Sequence, residues 1–278
     1  MNIFICGLGL IGGSFAKAIK ERTVNKVYGF DTDAKTVEKA SAEGAIDVAA
    51  SASDLAKCDL VIVALYPKAT IDFVKANLAN FKENAILLDT CGIKTEVCEA
   101  LGALVKGTSV RFIGGHPMAG IERSGFSYSF GSLFGGASMI LCTEFCTDNT
   151  AVQTVSELCS DIGFGRITLS TYKHHDEVIA FTSQLAHVVS SAYVHGKFAT
   201  EHRGFSAGSF KDMTRVARLN PDMWTELFFE NADNLSAVTG ELIENLQKFK
   251  AALDTGDRAG MHKLLADGNE RKLQSETF

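Results

Sequence analysis

The sequence predicts an α/β domain built on a doubly wound parallel sheet over residues 1–170, followed by an all-α domain over residues 171–278. Three observations carry this prediction. In the first part, short runs that are apolar throughout alternate with amphipathic stretches of helical length. Strands without polar alternation are those buried on both faces of a parallel sheet, and strand–helix alternation implies right-handed βαβ units. The first apolar run leads straight into a glycine-rich loop, and after about residue 170 the strand signal stops.

Taken in order, the predicted strands cover residues 2–6, 27–31, 60–65, 85–89, 111–114, 138–142 and 166–170. Helices are expected between them near 13–22, 33–43, 68–80, 94–105 and 148–162. From Tyr172 to Lys197 the pattern predicts one long helix, with Val178, Phe181, Leu185, Val188 and Val189 as its apolar stripe. Further helices are expected at about 207–219, 221–249 and 257–268. No repeat, low-complexity tract or flexible linker separates the two parts, so a ligand cleft is expected at their boundary.

Composition narrows the function. Of 278 residues, 46% are hydrophobic and 22% charged, a globular balance that excludes a disordered chain. No run approaches the roughly 18 apolar residues of a membrane span, and the opening strand argues against a cleaved signal peptide. A formal net charge of −6 disfavours a general nucleic-acid binder and leaves a small molecule as the expected partner. The 7 cysteines are scattered without metal-ligand spacing, so no metal site is expected, and reduced thiols point to the cytoplasm. The chain has 25 Gly but only 3 Pro, which fits tight strand–helix turns and close approach of backbone to a ligand.

The glycine loop is Gly7-Leu8-Gly9-Leu10-Ile11-Gly12, a G-x-G-x-x-G run placed directly after a strand and before a helix. Gly7 serves the tight turn, Gly9 the approach to a pyrophosphate, and Gly12 the packing of helix on strand. The anion then sits on free N–H groups at the helix N-terminus. Asp31 closes the second predicted strand, where a carboxylate accepts hydrogen bonds from the adenosine ribose. It would repel a 2′-phosphate, so the expected cofactor is NAD rather than NADP.

Two further clusters carry candidate chemistry. His116 lies in Gly114-Gly115-His116-Pro117, held between glycines and a proline at a strand end, and suits a general base because imidazole titrates near neutrality. Lys211 and Arg215 share a helix face at i, i+4, with Asp212 able to orient Arg215 at i, i+3. That face could bind carboxylates, although by itself such a face is more often a solvated surface.

These stretches, together with Trp224, resemble the prephenate/arogenate dehydrogenases, the NAD(P)-dependent enzymes of tyrosine biosynthesis, from Met1 to about Phe229. The resemblance implies a Rossmann-type domain, a helical dimerisation domain and a homodimer. It implies that His116 takes the proton of the substrate's ring hydroxyl while hydride passes to the nicotinamide and CO2 leaves. By the same resemblance Arg215 binds substrate carboxylate, Glu122 lines the site, and Asp212 and Trp224 support it. Tyrosine would act by competition at the active site.

The chain departs from the family pattern in two places. Gly92 stands where the family has a serine whose hydroxyl bonds the histidine, leaving Thr90, Cys91 or a water as substitutes. Ser183-Gln184-Leu185-Ala186-His187 keeps only the second histidine of the family's Ser-His-Leu-Pro-His, so His187 is either a substrate contact or a satisfied core residue. His174, His175, His195 and His202 are expected to be structural or exposed, although His175-Asp176 is a family-like pair. The readings that follow are prephenate oxidation, the same chemistry on arogenate, another NAD-dependent dehydrogenase of the 3-hydroxyacid or imine-reducing kind, and a catalytically silent NAD-binding dimer.

Overall fold

The computed structural model describes residues 1–121 and 123–276. It has two compact units, Met1–Val178 and Ile179–Phe278. Among the described residues, no helix is long and apolar enough to cross a membrane.

The first unit is a Rossmann-like domain. Its strands are β1 (Asn2–Cys6), β2 (Lys26–Phe30), β3 (Val48–Ala49), β4 (Leu60–Val63), β5 (Ile86–Asp89), β6 (Arg111–Pro117), β7 (Ser138–Cys142) and β8 (Arg166–Ser170). The helices between them are α1 (Leu10–Arg22), α2 (Ala34–Ala42), α3 (Pro67–Asn77), α4 (Thr95–Val105) and α5 (Asn149–Asp161). The strands form one sheet in the order β3-β2-β1-β4-β5-β6-β7-β8. Its first six positions have the 3-2-1-4-5-6 order of dinucleotide-binding sheets, with the reversal of winding between β1 and β4.

The strands read as unbroken apolar runs because both faces are covered. Ile3, Ile5, Ile62, Leu88 and Ile113 pack with Phe15 and Ile19 of α1 and Val155 and Leu158 of α5. The alternate positions Phe4, Cys6, Val61, Val63, Leu87 and Phe112 pack with Val74 of α3 and Val97 and Leu101 of α4. Phe134 closes the first layer, 4.5 Å from the Phe15 ring and 4.7 Å from that of Phe164.

The sheet is not parallel throughout, as the sequence had suggested. β6 pairs with β5 in parallel at residues 111–113 but with β7 antiparallel at 114–117, and β8 follows β7 in parallel. The reason lies in the connection. A parallel neighbour needs a crossover, usually a helix, and among the described residues of 118–137 the only helical element is the 3-10 turn Phe126–Tyr128. The chain therefore returns antiparallel, and α5 supplies the crossover for β8.

The rest of the chain is helical, and the second unit begins at Ile179, the last residue of its first helix. α6 (Tyr172–Ile179) leads through a π turn at Ala180–Gln184 into α7 (Leu185–Val194), followed by α8 (Gly208–Thr214), α9 (Pro221–Phe229), α10 (Ala232–Thr255) and α11 (Arg258–Ser275). The expected single helix over 172–197 is thus interrupted, and its stripe does not hold. Val178 and Phe181 are exposed, whereas Leu185 is buried. A π turn carries an extra residue, so spacing read at 3.6 residues per turn loses phase across it. The expected helix over 221–249 also breaks, at Glu230–Asn231. Pro221 starts α9 with Asn220 capping the Met223 N–H, and α10 ends at Gly256 in the left-handed region.

Candidate active site

The glycine loop forms the first part of the site. Gly7 has φ +86°, and a Cβ there would lie 2.5 Å from the Ala64 carbonyl oxygen. At Gly12 a Cβ would overlap the Gly7 carbonyl oxygen. Both positions are closed by the protein's own backbone. Gly9 differs: a Cβ there would meet nothing within 4 Å. Gly9 also caps α1 without a side-chain hydrogen bond, and the first turn of α1 holds no acid. Uncovered N–H groups beside an open face fit a pyrophosphate, held by the backbone of Gly9, Leu10 and Ile11.

Asp31 follows β2 and is half-buried. Its Oδ2 accepts from Leu8 N at 2.7 Å and its Oδ1 from Asp33 N at 2.9 Å. The carboxylate therefore braces the glycine loop. An ionised carboxylate has about four acceptor sites, so two backbone donors leave capacity for a diol.

His116 stands near the end of β6, three strand positions from β1, or about 14 Å across the sheet. Its neighbour Gly115 donates N–H to Asp89 Oδ1 at 3.1 Å and accepts at its carbonyl from Lys94 Nζ at 2.7 Å. Lys94 and Asp89 form an ion pair with both side chains wholly out of solvent. Burial works against the Lys94 ammonium, but the Asp89 carboxylate outweighs it and holds the group above its ordinary value. The pair ties β5, β6 and the N-terminus of α4 into one frame, and the backbone that carries His116 is part of it.

The imidazole of His116 is half-buried. Its Nδ1 lies 2.8 Å from Nε2 of His175, and His175 Nδ1 lies 2.7 Å from Oδ1 of Asp176. Asp176 in turn accepts from Lys94 N at 2.8 Å, Thr95 N at 2.8 Å and Thr95 Oγ1 at 2.6 Å. His175 is thus buried and tied to both His116 and Asp176, the structural rather than the exposed form of the sequence expectation. Neither Thr90 nor Cys91 replaces the family serine. Thr90 Oγ1 donates to Val63 O at 3.4 Å, and Cys91 Sγ lies against Leu65 O at 3.5 Å. Burial first, then the neighbouring His175 and Lys94, push His116 well below its ordinary pKa. These causes all favour the neutral ring.

In the helical unit, His187 and Trp224 come together, with ring centroids 3.9 Å apart. His187 Nδ1 lies 2.8 Å from the Ser183 carbonyl, which can only accept, so Nδ1 carries the hydrogen and Nε2 is left as an acceptor. Gln184, in the place of the family's first histidine, is a structural tie. It donates to Leu227 O at 2.6 Å and accepts from Asn231 Nδ2 at 2.8 Å. Lys211 and Asp212 are exposed on α8, and Arg215 is its exposed C-cap. Asp212 and Arg215 form no ion pair with each other, because α8 ends at Thr214 and both side chains extend into solvent. Glu122 lies outside the described residues.

Comparison with known proteins identifies the family. The family model described as prephenate dehydrogenase, nucleotide-binding domain, matches residues 15–168, and that described as prephenate dehydrogenase, dimerization domain, matches residues 171–267. Cyclohexadienyl dehydrogenase of Zymomonas mobilis is 31% identical over 99% of this chain and 96% of its own. Among solved structures, Synechocystis arogenate dehydrogenase superposes with a TM-score of 0.88 at 25% identity, over 99% of this chain and 100% of that one. Prephenate dehydrogenase from Aquifex aeolicus, solved in complex with hydroxyphenyl propionate and NAD+, gives 0.85 at 27% identity over 99% and 98%. With both halves matched in order, the chain belongs to the prephenate dehydrogenase family of oxidoreductases.

Proposed function

We propose that the protein catalyses the NAD-dependent oxidative decarboxylation of prephenate to 4-hydroxyphenylpyruvate, as a homodimer in the cytoplasm. The observation that carries this reading is His116, hydrogen-bonded through Nδ1 to the buried His175 near the end of β6, on the sheet whose first strand leads into the open face at Gly9. NAD, when bound, accepts hydride from the ring carbon that bears the hydroxyl. His116 takes the hydroxyl proton as that carbon becomes carbonyl-like. The ring carboxylate leaves as CO2, and the electrons of its carbon–carbon bond complete the aromatic ring. The phenol oxygen of the product recovers a proton, so His116 resets without net proton release. Arg215 supplies a planar guanidinium for a substrate carboxylate, with Lys211 a second cation on the same helix. His187, backed by Trp224, offers Nε2 to the substrate side chain, while Glu122 and Asp212 complete the polar lining. Asp31 supports NAD over NADP by charge repulsion of a 2′-phosphate.

Arogenate is the second reading. The Synechocystis neighbour is an arogenate dehydrogenase, and Asp212, not engaged by Arg215, offers a carboxylate for a side-chain amine. The test follows NADH formation with prephenate, with arogenate and with neither, using NAD and NADP in parallel. Reduction of NAD with prephenate is the expected result. Reduction with arogenate alone would reassign the substrate, and intact NAD binding without turnover on either ring would leave a silent NAD-binding dimer.

A further inference from the structure

We propose that His175 and Asp176 form the positioning pair of His116, fixing it in the tautomer that carries hydrogen on Nδ1 and presents a bare Nε2 to the substrate. The inference rests on the reading of His116 as the base. It follows from counting donors and acceptors along one buried chain. Asp176 is fully buried and takes hydrogen bonds from two backbone N–H groups, Lys94 and Thr95, and from the Thr95 hydroxyl. The backbone groups can only donate, so the carboxylate facing them acts as an acceptor. Burial alone would raise this carboxyl, but the bonds from His175, Thr95 and Lys94 outweigh it and hold it below the usual carboxylate range.

An ionised Asp176 requires hydrogen on His175 Nδ1, at 2.7 Å. His175 in its neutral form then has only a lone pair at Nε2, which must receive the Nδ1–H of His116 at 2.8 Å. His116 is left with an unprotonated Nε2, and among the described residues that nitrogen has no hydrogen-bond partner. The opposite tautomer would place an N–H where the substrate hydroxyl must deliver its proton. Reversing the chain would require a proton on Asp176 against the backbone donors already aimed at it.

The pair has a second consequence. As His116 takes up a proton, its Nδ1–H bond strengthens toward His175, and the fixed Asp176 carboxylate stabilises the charge through that ring. Orientation of a base by a third group is the general logic of nucleophile–base–orienter constellations.

The tautomer is read directly in the unaltered protein by 15N–1H correlation of the imidazole rings, with the His116 signal identified by its loss in His116→Asn. Hydrogen on Nδ1 of His116 is expected, and hydrogen on Nε2 alone near neutral pH would overturn the proposal. In His175→Phe, kcat is expected to fall on the order of 10²-fold, with KM and NAD affinity within about twofold of the parent enzyme, and the His116 tautomer is expected to shift toward Nε2–H. An unchanged kcat, or a lower kcat with an unchanged tautomer, would likewise overturn it. Should His175→Phe not fold, the measurement on the unaltered protein still decides. If His116→Asn itself retained full turnover, the reading of His116 as base would fail, an outcome separate from failure of the positioning pair.

Discussion

At the residue scale, the proposed chemistry depends on a histidine that must be neutral to work. Burial lowers the His116 pKa, and protonation as pH falls removes the base. The acid limb of kcat/KM is therefore expected below pH 6.5, the ordinary imidazole value; a limb above it would contradict the burial argument. His116→Asn should lower turnover by about 10²–10⁴-fold with NAD affinity preserved, measured by steady-state kinetics and cofactor titration. Arg215→Ala should raise KM for the ring substrate roughly 10–100-fold, the scale of one charge-assisted hydrogen bond, and an unaltered KM would mean that the guanidinium does not meet substrate. The candidate site could be proposed from sequence because its signatures are local: three glycines and an acid at fixed offsets, and a histidine beside Pro117. His175 could not, because its partner is 59 positions away and nothing in the sequence spacing joins them. The one local signal was the His175-Asp176 doublet at a helix start, which taken alone describes an ordinary first turn.

At the element scale, the loop between β1 and α1 separates glycines that the protein's own backbone requires from one that faces open space. Gly12→Ala would drive a methyl into the Gly7 carbonyl, so thermal unfolding should show a clear loss of stability. Gly9→Ala meets open space, so its melting temperature should stay near that of the parent, while NAD binding by calorimetry should weaken at least tenfold. Equal behaviour of the two variants in both measurements would remove the assignment of that space to the cofactor. The apolar runs identified every strand except the two-residue β3, but not their directions. β7 runs against β6 because the segment before it contains no crossover helix among its described residues, and strand direction is a property of connections. The π turn at Ala180–Gln184 was equally hidden, since an added residue in one turn leaves no mark on composition.

At the scale of the whole molecule, the helical unit leaves much apolar surface uncovered. Phe229, Leu246 and Leu253 are 77%, 58% and 71% exposed, and α11 buries no residue at all. A groove of about 430 Å³ between α7, α9 and α10 is lined by Val188, Phe228, Leu235 and Ile243. Apolar surface on this scale marks an association site, and it lies in the region matched by the dimerization-domain model. Sedimentation should give a dimer, the melting temperature should rise with protein concentration, and Leu246→Asp should shift the distribution toward single chains. A single chain at every concentration would count against that reading. The sequence implied a dimer only by resemblance, because which helix faces stay uncovered is decided by tertiary packing. The ion pair of Lys94 with Asp89 carries a last consequence. Deleting one partner strands a lone charge in the interior, at a cost of about 3–5 kcal/mol, while replacing both together by apolar groups can be nearly neutral. Natural variation at these two positions must therefore come in matched steps, and a descendant that had lost one charge but kept the other would be selected against before its catalysis could be tried.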